Sequence, residues 1–403
     1  IYDGFDGPDY LLTGVANRVD YGIEDVGLLP NSGAVRSFFN ANRARFEVND
    51  VDTAIDSAAG DYDAEEDVLA AYVMGRGEFG RAQVVGGVRI EQTDFSATGR
   101  EVTLDADAGD TVTVRRVSAD DDYTDILPSA NLRVDMTEDV VGRLAYYRSI
   151  ARPNIAQVVP SAEIEIDGGE REGELGNPDL ERQQANNFDA GLSWYPDNNA
   201  VVSLNLFHKD ISDYIATQYF EDVTFNGVDY VEAVRAVNLD DATVSGAEFN
   251  YQQKMSFLPS PWDGLLVGLN LTMADGEATL RNVDGSAGGR EIPLPKQSEL
   301  LGNLILGYEK GPVSLRLALA HRGEYLDAIN EGGEGIDRYV GDHTQLDFRA
   351  QYDFGSGLTT FVELVNITDE PFEVHLKQGG RQVLSQYEEY GYTGLVGLRY
   401  TMD

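Results

Sequence analysis

The chain has 403 residues and sets 30 Lys and Arg against 70 Asp and Glu, a formal charge of −40. Such a surface repels nucleic acid and other polyanions, and the absence of cysteine rules out a disulfide framework or a thiolate metal site. No run of about 18 apolar residues occurs, which argues against a spanning helix. A membrane β-barrel stays open, because its strands alternate apolar with polar residues.

Residues 1–64 are predicted to be an external loop region carrying one short helix. Ser32 is placed to cap that helix, with Val35, Phe38 and Phe39 on one face and an end before Glu47. The rest of the stretch is Gly/Asp-rich and irregular.

From residue 65 to 403 the reading is all-β. Strands are predicted near 66–79, 82–97, 125–136, 139–150, 184–195, 200–211, 242–256, 264–277, 299–309, 312–325, 343–354, 358–367 and 390–402. In the second half Leu265, Val267, Leu269, Leu271 and Met273 share a face, as do Val313, Leu315, Leu317 and Leu319, and Leu346, Phe348, Ala350, Tyr352 and Phe354. The opposite faces carry Arg316, Arg322, Asp347, Arg349 and Asp353 in mid-strand. A sandwich core accepts such charges poorly, whereas a hydrated barrel lumen tolerates them and turns the apolar face to lipid.

Connections alternate in length. Short turns such as Gly80-Arg81, Thr137-Glu138-Asp139, Pro196-Asp197-Asn198-Asn199, Lys310-Gly311-Pro312 and Gly355-Ser356-Gly357 carry turn chemistry. The alternate connections, 98–124, 151–183, 212–241, 278–298, 326–342 and 368–389, are long and mostly acidic, as in Asp120-Asp121-Asp122. Loops of that length all on one side suit an outer-membrane barrel, with short periplasmic turns and long extracellular loops. An odd strand count, with the last strand ending in the periplasm, places the start of the chain outside; the expectation is the C-terminal part of a larger barrel.

Several stretches resemble TonB-dependent outer-membrane receptors. They are Gly86-Gly87-Val88-Arg89-Ile90-Glu91, Leu127-Pro128-Ser129-Ala130-Asn131-Leu132-Arg133, Arg148-Ser149-Ile150-Ala151-Arg152-Pro153-Asn154 and Gly176-Asn177-Pro178-Asp179-Leu180-Glu181. Phe207-His208-Lys209-Asp210-Ile211, Phe361-Val362-Glu363-Leu364-Val365-Asn366-Ile367-Thr368-Asp369-Glu370-Pro371 and the closing Gly397-Leu398-Arg399-Tyr400 complete the set. Each is weak alone, and their order and spacing carry the weight. The resemblance implies about 13 strands of a 22-strand antiparallel transmembrane barrel.

It also implies uptake of a scarce nutrient, such as an iron chelate, cobalamin or an oligosaccharide. The implied partners are a plug domain and N-terminal barrel strands on a preceding segment or separate chain, the TonB complex acting through that plug, outer-membrane lipid and lipopolysaccharide, and the small-molecule ligand. No stretch here resembles the plug or its TonB box, and the end at Thr401-Met402-Asp403 lacks the family's terminal aromatic residue. The alternatives are a passive channel or structural barrel, and a secreted all-β carbohydrate-binding protein.

No nucleophile–base set and no phosphate loop is legible, so no catalytic site, cofactor or resident metal is expected. His208, His321, His343 and His375 lack ligand spacing. The run Asp105-Ala106-Asp107-Ala108-Gly109-Asp110 suggests calcium but breaks the EF-hand pattern, which favours a solvated tip. Glu163, Glu165, Asp167, Glu170, Glu172 and Glu174 could gather cations, though a solvated loop face needs no function. The ligand-binding candidates are the loop aromatics Tyr214, Tyr219, Phe220, Tyr230, Tyr325 and Tyr339, against which loop–loop packing is the favoured reading. Arg152, with Arg148, could meet an anionic ligand, although lumen salt bridges are the commoner fate.

Overall fold

A computed structural model describes residues 31–46, 48–196, 199–239, 241–329 and 335–401. The irregular stretch before residue 31, the turn residues Asp197 and Asn198, and the final Met402 and Asp403 lie outside the described residues. Helices α1 (Ser32–Ala41) and α2 (Asp50–Ala59) lead into β1 (Asp63–Phe79), β2 (Ala82–Asp105), β3 (Thr111–Asp135) and β4 (Val140–Ala151). Then come the short α3 (Ile155–Val158), β5 (Ala162–Asp167), β6 (Glu170–Leu175), β7 (Gln183–Trp194), β8 (Ala200–Ser212), β9 (Ile215–Phe225) and β10 (Val228–Asn238). The chain continues through β11 (Asp241–Lys254), β12 (Leu265–Thr279), β13 (Glu291–Pro293), β14 (Leu300–Lys310), β15 (Val313–Arg322), β16 (Tyr325–Ala328) and β17 (Asp337–Val340). It closes with β18 (His343–Asp353), β19 (Leu358–Val365), β20 (Phe372–Gln378), β21 (Arg381–Glu388) and β22 (Thr393–Tyr400).

These strands form one sheet of 18 and another of four. Setting aside β5, β6, β9, β10 and β13, the larger sheet is a meander of thirteen antiparallel strands. Each predicted strand is present in it, and the charged mid-strand positions share one face. Register explains why the pattern was readable. The row Val267, Leu306, Leu317, Phe348 and Leu364 is directly paired across five strands, and Leu265, Tyr308, Leu315, Ala350, Val362 and Val396 form a second such row. Together they make a continuous apolar band, half-exposed to exposed, the surface a barrel turns to lipid.

At the short-turn end Phe79, Trp194, Tyr195, Phe257, Trp262, Phe354 and Tyr400 are exposed, the arrangement of an interfacial aromatic girdle. The opposite face is polar: Arg316 lies opposite Arg349, and the like charges are relieved by Glu309 at 3.4 Å and Glu363 at 3.2 Å.

Three expectations are corrected. Residues 98–124 are not a loop: β2 and β3 pair without a break from Ala82↔Val134 to Asp105↔Thr111. At about 3.3 Å per residue a strand of 24 residues is about 80 Å long. That is more than twice a hydrocarbon core of about 30 Å, so its far half stands above the membrane. The other long loops carry short strands of their own, β5, β6, β9, β10, β13, β16, β17, β20 and β21. Finally, the cap of α1 is Asn31, whose side chain accepts from the Ala34 N–H at 3.0 Å, rather than Ser32, and α2 was not anticipated.

The loop strands fold into a cap with its own core. Ile164, Phe220, Val223, Tyr230, Ala233, Val237, Leu239, Ala278, Leu280, Ile292, Leu294 and Leu326 are buried together, drawn from four different loops. The loop between β12 and β14 is the mortar. Gln218 and Arg281 exchange hydrogen bonds at 2.6 and 3.2 Å, and the Glu221 N–H donates to Val283 O at 2.9 Å.

Close backbone approach makes one glycine indispensable here. A Cβ on Gly176 would sit inside contact distance of the Val159 carbonyl, a main-chain atom that cannot swing aside. Gly176→Ala is expected to destabilise the 151–183 segment by about 1–3 kcal/mol. Gly60→Ala, which faces open space, should stay within about 0.5 kcal/mol. Limited proteolysis of the detergent-solubilised protein reads the difference, and equal protection of both variants would refute it.

Candidate functional site

The candidate residues separate into four places. Tyr214, Phe220, Tyr230 and Tyr339 belong to the cap core or pack on it. Phe220 is fully buried, edge-on to Phe225 at 5.3 Å, and Tyr230 is 7% exposed. Both rings are taken up in loop–loop packing, the reading the sequence favoured over ligand stacking. The Tyr339 ring lies under Lys377 Nζ at 4.4 Å. Burial pushes the phenols of Tyr214, Tyr230 and Tyr339 upward, so they stay protonated and are poor metal ligands.

Tyr219 points the other way, into an acidic groove of about 310 Å3 lined by Glu163, Glu165, Glu172, Glu174 and Glu232 and approached by Ile55 of α2. Burial, then Glu232 and Glu221, raise its phenol, which is therefore a donor to carboxylates. Four of the six clustered acids thus share one face because the β5–β6 register sets Glu163 opposite Glu174 and Glu165 opposite Glu172. The neighbouring Asp105 and Asp107 carboxylates serve main-chain donors. Asp105 accepts from Ala108 at 2.9 Å, and Asp107 accepts from Gly168 and Gly169 at 3.0 and 2.8 Å, latching one hairpin tip to another.

Arg152 is committed to the wall. Its guanidinium meets Glu91 at 2.9 Å, Glu66 at 3.0 Å and Thr93 at 3.0 Å, on the polar faces of β1 and β2. Two carboxylates therefore hold the cation that an anionic ligand would need. Arg148 hydrogen-bonds Asn186 at 3.3 Å and shares its face with the outward Leu144 and Phe188, so it points away from the lumen.

Only Tyr325 among the candidates lines a cavity at the polar face of the wall. The cavity holds about 490 Å3 and lies where the wall meets the four-stranded sheet, between Arg322, Tyr325, His343, Gln345, Glu370, Phe372 and Tyr390. Arg322 and His343 sit directly opposite one another on β15 and β18. The Arg322 guanidinium stacks over the Tyr325 ring at 4.7 Å and donates to the Gly341 carbonyl at 3.0 Å. Among the described residues no carboxylate forms an ion pair with Arg322, whose guanidinium lines the cavity together with the Glu370 carboxylate. A stacked cation, an imidazole, an amide and two further rings can grip a ligand that presents both a flat face and oxygen acceptors.

His343, Gln345, Phe372 and Tyr390 were not foreseen as site residues. Strand register brings the first two beside Arg322, and no signal in the sequence announces it. A second hollow on the same face, of about 510 Å3, gathers Arg133, Arg143, Asp189, Lys209 and Glu248, the charged lining expected of a wet lumen.

No curated sequence is similar enough to register as a relative. Solved structures are. The ferric citrate transporter FecA in its unliganded form matches with a TM-score of 0.56 at 15% identity, over 84% of this chain and 45% of that one. The ferric-catecholate import receptor Fiu from E. coli K12 gives 0.56 at 14%, over 84% and 45%. The ferric enterobactin receptor of Pseudomonas aeruginosa, as an R480A mutant in complex with enterobactin, gives 0.52 at 15%, over 84% and 54%. The chain thus spans about half the length of these structures, which share its fold. A family model described as TonB dependent receptor-like, β-barrel, matches residues 3–367. The chain belongs to that family, whose members are barrel receptors of the Gram-negative outer membrane.

Proposed function

We propose that this chain forms the wall and the external mouth of an energised receptor that captures a scarce nutrient and holds part of it at the Arg322–Tyr325–His343 cavity. The observation that carries the reading is the ring-stacked guanidinium of Arg322, without an ion-pair partner among the described residues, on the polar face where the wall meets the four-stranded sheet. The energised step belongs to a plug, on a preceding segment or a separate chain, engaged by the TonB complex. Outer-membrane lipid and lipopolysaccharide cover the apolar band. Among the described residues no set favours a catalytic role. Among iron chelates, cobalamin and oligosaccharides, iron chelates are the first class to assay, because the solved neighbours are named for ferric citrate, ferric catecholate and ferric enterobactin.

The test is accumulation of a labelled panel (ferric citrate, a ferric catecholate, cobalamin and a maltodextrin) by cells carrying the intact receptor, with and without TonB. Uptake of one member that stops without TonB is expected; uptake indifferent to TonB would establish a passive channel instead. For that member, Arg322→Ala and Tyr325→Ala are each expected to weaken binding about tenfold, the loss of a charge-assisted or stacking contact of about 1–2 kcal/mol. Arg148→Ala, which points away from the lumen, should leave binding unchanged.

A further inference from the structure

The outward face of the wall is not evenly filled. Where β3, β4, β7 and β8 run side by side, Gly142 stands in register between Val134 and Leu192, and Ala190 between Leu144 and Leu206. The two small residues sit diagonally among large ones. The side-chain volume they lack leaves an apolar hollow of about 340 Å3 on the lipid-facing side.

Immediately above the hollow the same strands change character. Tyr146 and Phe188, directly paired on β4 and β7, meet ring to ring at 5.1 Å. The Tyr146 hydroxyl donates to Asn186 Oδ1 at 3.2 Å, and Arg148 Nε donates to the same oxygen at 3.3 Å. One asparagine thus fixes both the ring and the guanidinium. Among the described residues no carboxylate pairs with Arg148, and Asp210, opposite Asn186 on β8, is held instead by His208 at 3.0 Å. In a chain of net charge −40 this arginine keeps its charge unneutralised. Asn186 lies eight residues above Trp194 at the short-turn end of β7, a height of about 20 Å for a tilted strand. That sets Tyr146 and Phe188 at the outer aromatic girdle and Arg148 at headgroup level, near the top of an apolar band about 25 Å tall.

The geometry points to a seat for one molecule of lipid A, the phosphorylated and acylated anchor of lipopolysaccharide, on the outward face of β3, β4, β7 and β8. A fatty-acyl tail fills the Gly142–Ala190 hollow, the sugar packs against the Tyr146–Phe188 pair, and a phosphate meets the terminal nitrogens of Arg148. A guanidinium fork matches two phosphate oxygens, and its own hydrogen bond to Asn186 orients it beforehand. The seat differs from a general lipid coat in holding one molecule at one place. It lies on the opposite face from the Arg322–Tyr325–His343 cavity and stands whatever nutrient that cavity takes.

The intact receptor, in nanodiscs of zwitterionic phosphatidylcholine, is titrated with bisphosphorylated lipid A, and bound copies are counted by native mass spectrometry. One copy is expected to bind, with an affinity that falls about tenfold in Arg148→Gln and again in Ala190→Phe, which fills the hollow. Arg349→Gln, on the lumen face, should bind as the unaltered receptor does. All variants are compared at equal heat-modifiable mobility, so that a folding defect is not read as lost binding. Lipid A stripped of its phosphates should no longer distinguish Arg148→Gln from the unaltered receptor. Undiminished affinity of Arg148→Gln for the phosphorylated form would show that the arginine takes no phosphate. Equal binding of phosphatidylglycerol would show that any anionic lipid suffices. Either result overturns the proposal.

Discussion

Leu317→Arg should block assembly of the barrel, while Ala318→Arg, one residue on, should fold and insert. Leu317 lies mid-row in the exposed apolar band, between Leu306 on β14 and Phe348 on β18. An arginine there costs about 2–4 kcal/mol near the bilayer midplane, and its neighbours offer no acceptor. Ala318 is on the polar face, directly opposite Asp347. An arginine there enters a wet lumen beside a carboxylate. The measurement is the fraction of receptor in the outer membrane that keeps its folded, heat-modifiable mobility. A folded Leu317→Arg with a failed Ala318→Arg would show that the two faces have been assigned the wrong way round, and the barrel reading would fall with them.

That contrast also explains what could be read from the sequence. The wall was legible because lipid on one side and water on the other impose strict alternation on every strand: Leu315, Leu317 and Leu319 against Ser314, Arg316 and Ala318 need no neighbour to be understood. The cap was not legible, because its strands are short and its core is assembled from four loops at once. Even so, some signals were there. In β5 Ile164 and Ile166 alternate with Glu163, Glu165 and Asp167, so the acids that looked like a charged loop are the outer face of a half-buried strand. In α2 Val51, Ala54, Ile55 and Ala58 follow helical spacing after the Asn49 cap. The long β2–β3 hairpin hid for a different reason. Above the membrane β3 meets water along Arg115, Arg116 and Asp120-Asp121-Asp122, which carry no period, while β2 buries Ala97 and Val102 against the 151–183 segment.

The candidate site divides on the same line. Aromatic residues in loops were a reasonable place to look, but composition cannot say which way a ring points. Phe220 and Tyr219 are adjacent, and one fills the cap core while the other faces glutamates. Arg322, by contrast, was visible as a charge on the polar face of a predicted strand. What the sequence withheld was its setting: the bend at Gly323 that carries Tyr325 under the guanidinium, and the register that brings His343 opposite.

Phe220→Ala is expected to cost the cap about 3–5 kcal/mol, the usual range for emptying a fully buried aromatic site. Phe225, its edge-on neighbour, loses that partner, and Phe225 is itself in ring contact with Tyr230 at 6.5 Å. The wall should survive, since its thirteen strands are held by their own ladders and by lipid, whereas the cap depends on one core shared by four loops. Protease added to intact cells should therefore cut within 212–241, 278–298 and 151–183 together, because Ile164, Phe220 and Ile292 are packed in the same cluster. The barrel should keep its folded mobility. Tyr219→Phe is the matched control. It removes one hydroxyl facing Glu232 and should cost no more than about 1 kcal/mol, with protection retained. Cutting confined to 212–241 would show that the loops fold independently, and a shared core would then be the wrong description of the receptor's mouth.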